Sequence, residues 1–169
     1  MLSFITTWFH VSYAAVEEVV LMDYAQRKYV SLERDGGILS DTPMTFQLVR
    51  PGLSNATNSV SFTSSERPGW YLRHKMSRII LAKSTDGSSF RDDATFIEHP
   101  NSFYHGFTSF ESSNFRNNFI CTNQLQLFSR RFENKTVYKE GASFRNGKPA
   151  FCLVVIRESF NESLQVPIS

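Results

Sequence analysis

The chain has 169 residues and a mass of 19.4 kDa, a length that accommodates one domain with a sizeable core. Apolar residues make up 41% of it and charged residues 20%, and 16 residues are Phe, which excludes a disordered or fibrous chain. The net charge of +2 is spread without long runs of one sign. The composition therefore does not favour nucleic-acid binding.

The first fifteen residues combine an apolar centre with small residues placed like those before a cleavage site. Ser12 and Ala14 stand three and one residues before the end of such a segment. This pattern predicts a signal peptide over 1–15 and a secreted protein. No Lys or Arg precedes the apolar stretch, so a cytoplasmic location stays open. No run of about 18 apolar residues occurs, and no transmembrane helix is predicted.

Three consecutive segments share one order of landmarks, and we define them as repeats over 19–53, 60–101 and 108–157. Each repeat has four short runs rich in aromatic and branched residues, which is typical of half-buried strands. The runs are 19–21, 29, 38–39 and 45–49; 60–62, 70–72, 79–81 and 95–97; and 108–110, 119–121, 125–128 and 150–153. Residues 14–29 also fit a helix locally, but the repeat alignment favours a strand.

Units of four strands cannot each bury a face alone, so the three repeats are predicted to close around a shared core. A propeller needs four or more blades. The sequence therefore predicts an all-β protein, a β-trefoil of three four-stranded repeats with pseudo-threefold symmetry. The trefoil is assigned to 16–157, and 158–169 form a C-terminal tail.

The repeats differ between the third and last runs, where loops can carry function. The loops of the second and third repeats each hold a further aromatic landmark, predicted as extended: Ser89-Phe90-Arg91 and Ser143-Phe144-Arg145. Asp92 and Asp93 follow the first of them. Neighbouring residues on an extended strand point to opposite faces, so no catalytic carboxylate pair is expected there.

Two motifs of the second repeat resemble a known family. Tyr71-Leu72-Arg73-His74 and the stretch from Asp86 to Phe96, which ends in Phe-Arg-Asp-Asp-Ala-Thr-Phe, are similar to the arabinose-binding domain of α-L-arabinofuranosidases, a carbohydrate-binding module of β-trefoil fold. The resemblance is specific over about 60–100. It implies that His74 and Asp93 hydrogen-bond the hydroxyls of a terminal arabinofuranose.

The same residues suit sugar binding on chemical grounds. A carboxylate offers acceptors to neighbouring hydroxyl groups, and a neutral imidazole can donate or accept beside it. Tyr71 offers an apolar wall to the sugar or packs into the core. The histidine position holds Leu32 and Thr122 in the other repeats, and the aspartate position holds Pro43 and Lys148. One intact pocket is therefore predicted.

Nothing in the sequence indicates catalysis or a cofactor. It lacks a nucleophile elbow, a phosphate-binding glycine loop and a catalytic cysteine signature. Asp92, Asp93 and His99 do not have a recognised metal-ligand spacing. Cys121 and Cys152 form a disulfide if the chain is exported, or are buried thiols. Three N-glycosylation sequons begin at Asn55, Asn134 and Asn161, a number close to chance.

Three hypotheses follow. The first is a secreted, non-catalytic module that binds a terminal pentofuranose or related sugar through His74 and Asp93. The second is a diverged trefoil that serves protein interaction or signalling, which the degraded first and third repeats motivate. The third is a targeting subunit of an arabinofuranosidase whose catalytic chain is encoded separately.

Overall fold

The computed structural model of the protein describes residues 16–149. Several predictions fall outside this range: the signal peptide over 1–15, the strand at 150–153 and the tail over 158–169. Cys152 lies outside it as well, so the Cys121–Cys152 disulfide stays a prediction. Among the described residues, no helix is both long and apolar enough to cross a membrane.

The described part of the chain forms one antiparallel sheet of twelve strands, together with two short helices. The elements in chain order are β1 Glu18–Asp23, β2 Tyr29–Glu33, β3 Gly36–Ser40, β4 Phe46–Val49, β5 Ser59–Ser64, β6 Trp70–Lys75, β7 Arg78–Lys83, α1 Ser88–Asp93, β8 Phe96–Pro100, β9 Thr108–Ser112, β10 Asn118–Asn123, β11 Gln126–Arg131, α2 Thr136–Gly141 and β12 Phe144–Gly147. The prediction of an all-β protein is confirmed.

Six of the strands pair into a closed ring. β1 pairs with β4, β4 with β5, β5 with β8, β8 with β9, β9 with β12, and β12 again with β1. The other six form three hairpins, β2–β3, β6–β7 and β10–β11, which contact one another through β3, β7 and β11. Each consecutive group of four strands thus supplies two ring strands and one hairpin.

Large apolar side chains from the ring strands, most of them aromatic, fill the core. Leu21, Phe62 and Phe110 come from the first strand of each group and Phe46, Phe96 and Phe144 from the last, and none is more than 2% exposed. The ring of Phe62 lies 5.1 Å from that of Phe110 and 6.1 Å from that of Phe46. The Phe excess of the composition is therefore largely a core requirement.

Two element predictions need comment. Residues 14–29 were predicted as strand rather than helix, and β1 lies within them. The extended conformation predicted for Ser89-Phe90-Arg91 is wrong, because these residues belong to α1. The Ala94 amide donates to the Phe90 carbonyl at 3.0 Å, which closes a helical turn and turns the buried Phe90 ring inward.

The register predicted for the third repeat is also wrong. Phe144 was assigned to the extra landmark, but it begins β12, whose residues 144–147 pair with β1 and complete the ring. Phe144 therefore corresponds to Phe96. Tyr138, the buried aromatic of α2, takes the place that Phe90 has in α1.

Cys121 lies on β10 and is fully buried beside Tyr138 and Ala142. Burial raises the pKa of its thiol to about 11. In a Cys152→Ser variant we expect Cys121 to react with a thiol reagent at pH 8 at least about a hundredfold more slowly in the native state than in urea, because little thiolate forms and access is blocked. Timed labelling with mass spectrometry measures this. Similar rates in both states would contradict the buried position.

Candidate functional site

His74 lies near the end of β6, where the strand alternation turns it toward the protein interior. Leu72 and His74 are buried on one face of the strand, and Tyr71 and Arg73 lie on the other, partly exposed. The His74 side chain is 9% exposed. A histidine held at this depth needs polar partners.

Asp93 is the last residue of α1, and the chain that follows it is anchored in the core. Thr95 is fully buried; its hydroxyl donates to the Arg91 carbonyl at 2.7 Å and accepts from the Ser54 amide at 3.0 Å. The Ser61 hydroxyl donates to the Ala94 carbonyl at 2.7 Å. The Ala-Thr-Phe part of the motif is therefore structural, and it fixes where the Asp93 carboxylate lies.

The two side chains predicted from the sequence are brought together. His74 Nε2 lies 3.3 Å from Asp93 Oδ1, and Asn114 bridges them. The Asn114 amide donates to Asp93 Oδ1 at 2.7 Å, and its Oδ1 accepts from the Ser112 hydroxyl at 2.8 Å. This orientation leaves Asn114 Oδ1 facing His74 Nε2 at 2.9 Å, so Nε2 carries the proton and donates.

Arg73 completes the surroundings of Asp93. Its guanidinium pairs with Asp93 Oδ2 and lies 5.0 Å over the ring of Phe90. Tyr71 packs edge-on against the same ring, with centroids 6.4 Å apart. Tyr71 is thus on the face of β6 opposite to His74 and supports Arg73 through Phe90. Its direct contact with a sugar stays a prediction.

An open cleft of about 290 Å³ lies beside His74, and we call it the inner cleft. It is lined by His74, Met76, Ser77, Phe115, Asn118 and Ser129. The Phe115 side chain is 54% exposed, and its ring stands edge-on to that of His74 at 5.1 Å. The cleft therefore combines a flat apolar face with hydroxyl, amide and imidazole groups, the mixture that a sugar ring requires.

Sequence reasoning missed Asn114 and Phe115. Both follow β9 of the third group of strands, 40 residues beyond His74 in the case of Asn114. The corresponding turn of the second repeat has Glu66, so no repeated pattern marks the position. The only signal was a polar residue and an aromatic side by side in a turn, which is common in any β protein.

The equivalent positions of the other repeats form different sites. In the first repeat, Leu32 and Pro43 line a cleft of about 350 Å³ without imidazole or carboxylate at those places. In the third repeat, the structure puts Gly141 rather than Lys148 at the aspartate position, because Phe144 begins the last strand. The Thr122 hydroxyl there donates to the buried Asp23 carboxylate at 3.1 Å.

Gly141 leaves no room for the missing carboxylate. A Cβ atom at this position would lie 2.8 Å from the carbonyl oxygen of Thr122 and 2.9 Å from its hydroxyl. We expect Gly141→Asp to lower the free energy of unfolding by about 1–3 kcal/mol, as overpacking does, and to create no second sugar site. Urea unfolding measures the first effect and titration stoichiometry the second.

Gly87→Ala is the matched control for that substitution. A Cβ atom at Gly87 has its nearest neighbour at 3.8 Å, the Ser89 hydroxyl. The control should leave stability within about 0.5 kcal/mol of the wild type. A stable Gly141→Asp variant, or one that binds a second equivalent of sugar, would contradict the packing argument.

The described residues do not assemble a metal centre. Within 16–149, no group of three His, Cys, Asp or Glu side chains is close enough to hold an ion. The side-chain partner of His99 is Glu111: its Nε2 lies 2.7 Å from the Glu111 carboxylate.

The chain resembles a known family in sequence and known proteins in structure. The family model of the "Alpha-L-arabinofuranosidase B (ABFB) domain" matches residues 24–146. No curated protein matches the chain in sequence. Among solved structures, similarity extends to an arabinofuranosidase complexed with arabinofuranosyl-α-1,2-xylobiose, at 20% identity and a TM-score of 0.71 over 81% of this chain. An α-L-arabinofuranosidase soaked with a cyclic sulfate inhibitor gives the same identity and TM-score over 82%.

In both of these enzymes the matched part is 32% of their chain, so this protein spans about a third of their length. A different comparison covers a whole chain: SeviL bound to asialo-GM1 saccharide matches with a TM-score of 0.60 and 9% identity over 80% of this chain and 99% of its own. At these identities the structural likenesses establish the fold alone.

Proposed function

Since this chain belongs to the α-L-arabinofuranosidase B (ABFB) domain family, we propose that it is a non-catalytic carbohydrate-binding module with one sugar pocket, located in the second repeat. The observation that carries the proposal is the convergence of His74, Asp93 and Asn114 beside the exposed ring of Phe115. The ligand is a terminal arabinofuranose or a related sugar.

The fold assignment that accompanies this proposal is a β-trefoil. A six-stranded ring with a cap of three hairpins, to which each group of four strands contributes equally, supports it. Core side chains from corresponding strands support it too. The clefts at equivalent places are lined from two successive repeats: Leu32 with Glu66 in one, and His74 with Phe115 in the other.

The polar groups suit recognition of vicinal hydroxyls. An ionised carboxylate has about four acceptor positions; on Asp93 the Asn114 amide and Arg73 use two. Asp93 is 15% exposed and is not among the residues that line the inner cleft, so the proposal requires its remaining acceptors to meet hydroxyl donors at the edge of the cleft, beside His74. Such charge-assisted hydrogen bonds are the stronger kind. The exposed face of Phe115 covers the apolar face of the sugar. Asp93 acts here as an acceptor held in place by Arg73, and no proton transfer is assigned to it.

A single shallow pocket gives weak binding, and modules of this kind gain strength when several sites act together. The proposal therefore includes a targeting role, in which the module holds a partner hydrolase or a second chain near its substrate. An arabinofuranosidase assay on this chain alone should give no product. Release of arabinose by the purified chain would overturn the non-catalytic assignment.

The decisive test is a titration of the wild-type protein with methyl α-L-arabinofuranoside, followed by isothermal calorimetry or by NMR. We expect saturation with a stoichiometry of one and a dissociation constant on the order of 1 mM, as for a small ligand with few contacts. Methyl β-D-xylopyranoside is the control for the sugar. The proposal fails if neither sugar binds, or if both bind equally and His74→Ala changes neither titration.

A protein-interaction role is the second candidate, and one observation favours it. The Arg73–Asp93–Asn114 contacts join two repeats and would stabilise the loops even without a ligand. Under this alternative, substitution of Asp93 lowers stability while no sugar binds. A pull-down from which free arabinofuranoside releases the bound material would count against it.

We also propose that the protein is exported, in line with the signal peptide predicted over 1–15. Of the sequons, Asn55 and Asn134 are exposed and lie in turns, where a glycosyl transferase can reach them. Treatment of protein from a eukaryotic secretion host with a glycan-removing amidase should then lower its mass. Recovery of the whole chain from the cytosol, with residue 1 retained, would contradict export.

A further inference from the structure

The inner cleft does not end at Ser129. Ser77, Asn118 and Ser129 also line a second, more open cleft of about 510 Å³, which continues to Arg130, Arg131, Phe132 and Glu133. We call this the outer cleft. The two share three of their lining residues, so they form one groove that starts at His74 on β6, passes the turn between β6 and β7, and runs across β10 and β11.

Backbone hydrogen bonds fix the positions of the segments that line the groove. The Ser129 amide donates to the Ser77 carbonyl at 2.9 Å, and the Phe132 amide donates to the Asn117 carbonyl at 2.7 Å. These bonds join the turn between β6 and β7 to β11, and the end of β11 to the turn before β10. The groove is therefore preformed, which lowers the entropic cost of binding a ligand along it.

The chemistry of the outer cleft matches that of a sugar-binding surface. Phe132 is 39% exposed, and its ring is stacked on Phe103, with centroids 5.7 Å apart and an angle of 11° between the planes. It also meets Phe119 and Tyr138 edge-on. Its flat outer face is thus rigidly oriented, as an apolar sugar face requires.

The charges do not favour a cationic ligand, since two arginines and one carboxylate line the outer cleft. The Arg130 guanidinium is held by Glu133 at 3.0 Å, and Lys135 lies 2.9 Å from the same carboxylate. Arg131 is exposed and can donate to hydroxyl oxygens, as can Asn118, Ser77 and Ser129. The outer cleft therefore presents hydroxyl-binding groups around an aromatic platform, with its central carboxylate already neutralised.

We propose that the outer cleft binds the neutral sugar units to which the terminal furanose is attached, so that the module recognises a branched oligosaccharide rather than a single sugar. Phe132 stacks on the first of these units and Arg131 binds its hydroxyls. This inference rests on the proposed function of the inner cleft. The two are separable, because the inner cleft binds the terminal sugar without Phe132.

The test compares methyl α-L-arabinofuranoside with arabinofuranosyl-α-1,2-xylobiose, each titrated into the full chain by calorimetry. We expect the wild type to bind the trisaccharide about tenfold more tightly. Phe132→Leu keeps apolar bulk against Phe103 but removes the flat face, and Arg131→Gln removes the charge. Each should reduce the tenfold preference to about twofold or less, with binding of the monosaccharide unchanged. Arg131→Gln should also leave the melting temperature unchanged, whereas Phe132→Leu should lower it because three aromatic contacts are lost.

Phe115→Ala serves as the matched control, since it should weaken binding of both ligands by the same factor. Equal affinity of the wild type for the two ligands, or a preference that survives both outer-cleft variants, would overturn this inference and leave the inner-cleft pocket standing. If the monosaccharide does not bind at all, the proposed function fails, and this inference fails with it.

Discussion

Asp93→Asn is expected to weaken binding of methyl α-L-arabinofuranoside by about ten- to a hundredfold, because hydrogen bonds to a charged group contribute about 1.5–3 kcal/mol. Asparagine keeps the size of the side chain and one oxygen. It loses the charge and replaces an acceptor with a donor that faces either Arg73 or the ligand. Calorimetric titration of the purified variant, well below its melting temperature, measures the effect.

Asp92→Asn is the matched control for this prediction. Asp92 is the neighbouring residue of α1, and its backbone carbonyl, rather than its carboxylate, accepts the hydrogen bond of Ser113. Its substitution should change affinity less than twofold. Unchanged binding by the Asp93 variant, or equal losses in both variants, would remove Asp93 from the pocket.

Thermal melting of the same variants separates the sugar-binding role from the structural one. The Arg73 and Asp93 side chains are 19% and 15% exposed, so their ion pair is partly buried, and substitution of Asp93 leaves the Arg73 charge without its partner. We therefore expect a moderate loss of stability together with the loss of affinity. A loss of stability in a protein whose wild type binds no sugar would instead favour the protein-interaction alternative.

Half of the candidate site could be predicted from the sequence, and the reason is physical. His74 ends one contiguous motif and Asp93 lies within another, and β6, α1 and the buried Thr95 bring these two residues together within one repeat. Asn114 and Phe115 reach the site from the following repeat. Their position depends on how the turn after β9 folds over β6, which no local pattern records.

The wrong register of the third repeat shows which sequence signal is the more reliable. Ser143-Phe144-Arg145 repeats the tripeptide at Phe90, and that identity placed Phe144 in the loop. Spacing gives the observed answer, since Phe96 follows Phe90 by six residues and Phe144 follows Tyr138 by the same number. Packing fixes the distance between a buried helix aromatic and the next ring strand, whereas an identical tripeptide can recur by chance at positions that are not equivalent.

The all-β architecture was predictable because the signal for it is distributed over the whole chain. Each group of strands must supply large apolar side chains at matching heights of the ring, and a sequence cannot do this three times without a visible repeat. The degraded pockets of the first and third repeats left that requirement untouched. The core positions are therefore similar in the three repeats of this chain, although the residues at the proposed sugar-binding positions differ.

Phe62→Ala is expected to lower the free energy of unfolding by about 3–5 kcal/mol, the cost of removing a fully buried phenyl ring and leaving a cavity. Phe62 is 0% exposed and lies among Phe46, Phe96 and Phe110, with centroids 6.1, 6.2 and 5.1 Å from its own. Because small domains are stable by only about 5–15 kcal/mol, the variant should lose a large share of its stability and unfold at a clearly lower urea concentration. Urea unfolding followed by far-ultraviolet circular dichroism measures the change.

Phe115→Ala is the control that separates core from pocket. It removes the same phenyl ring from a position that is 54% exposed, and it should change the free energy of unfolding by less than about 0.5 kcal/mol while weakening sugar binding. Phe62→Ala should therefore lose stability, and Phe115→Ala should lose affinity for the sugar. Similar unfolding midpoints for both would mean that Phe62 does not occupy the centre of the ring, and the assignment of three equivalent strand groups around it would fall.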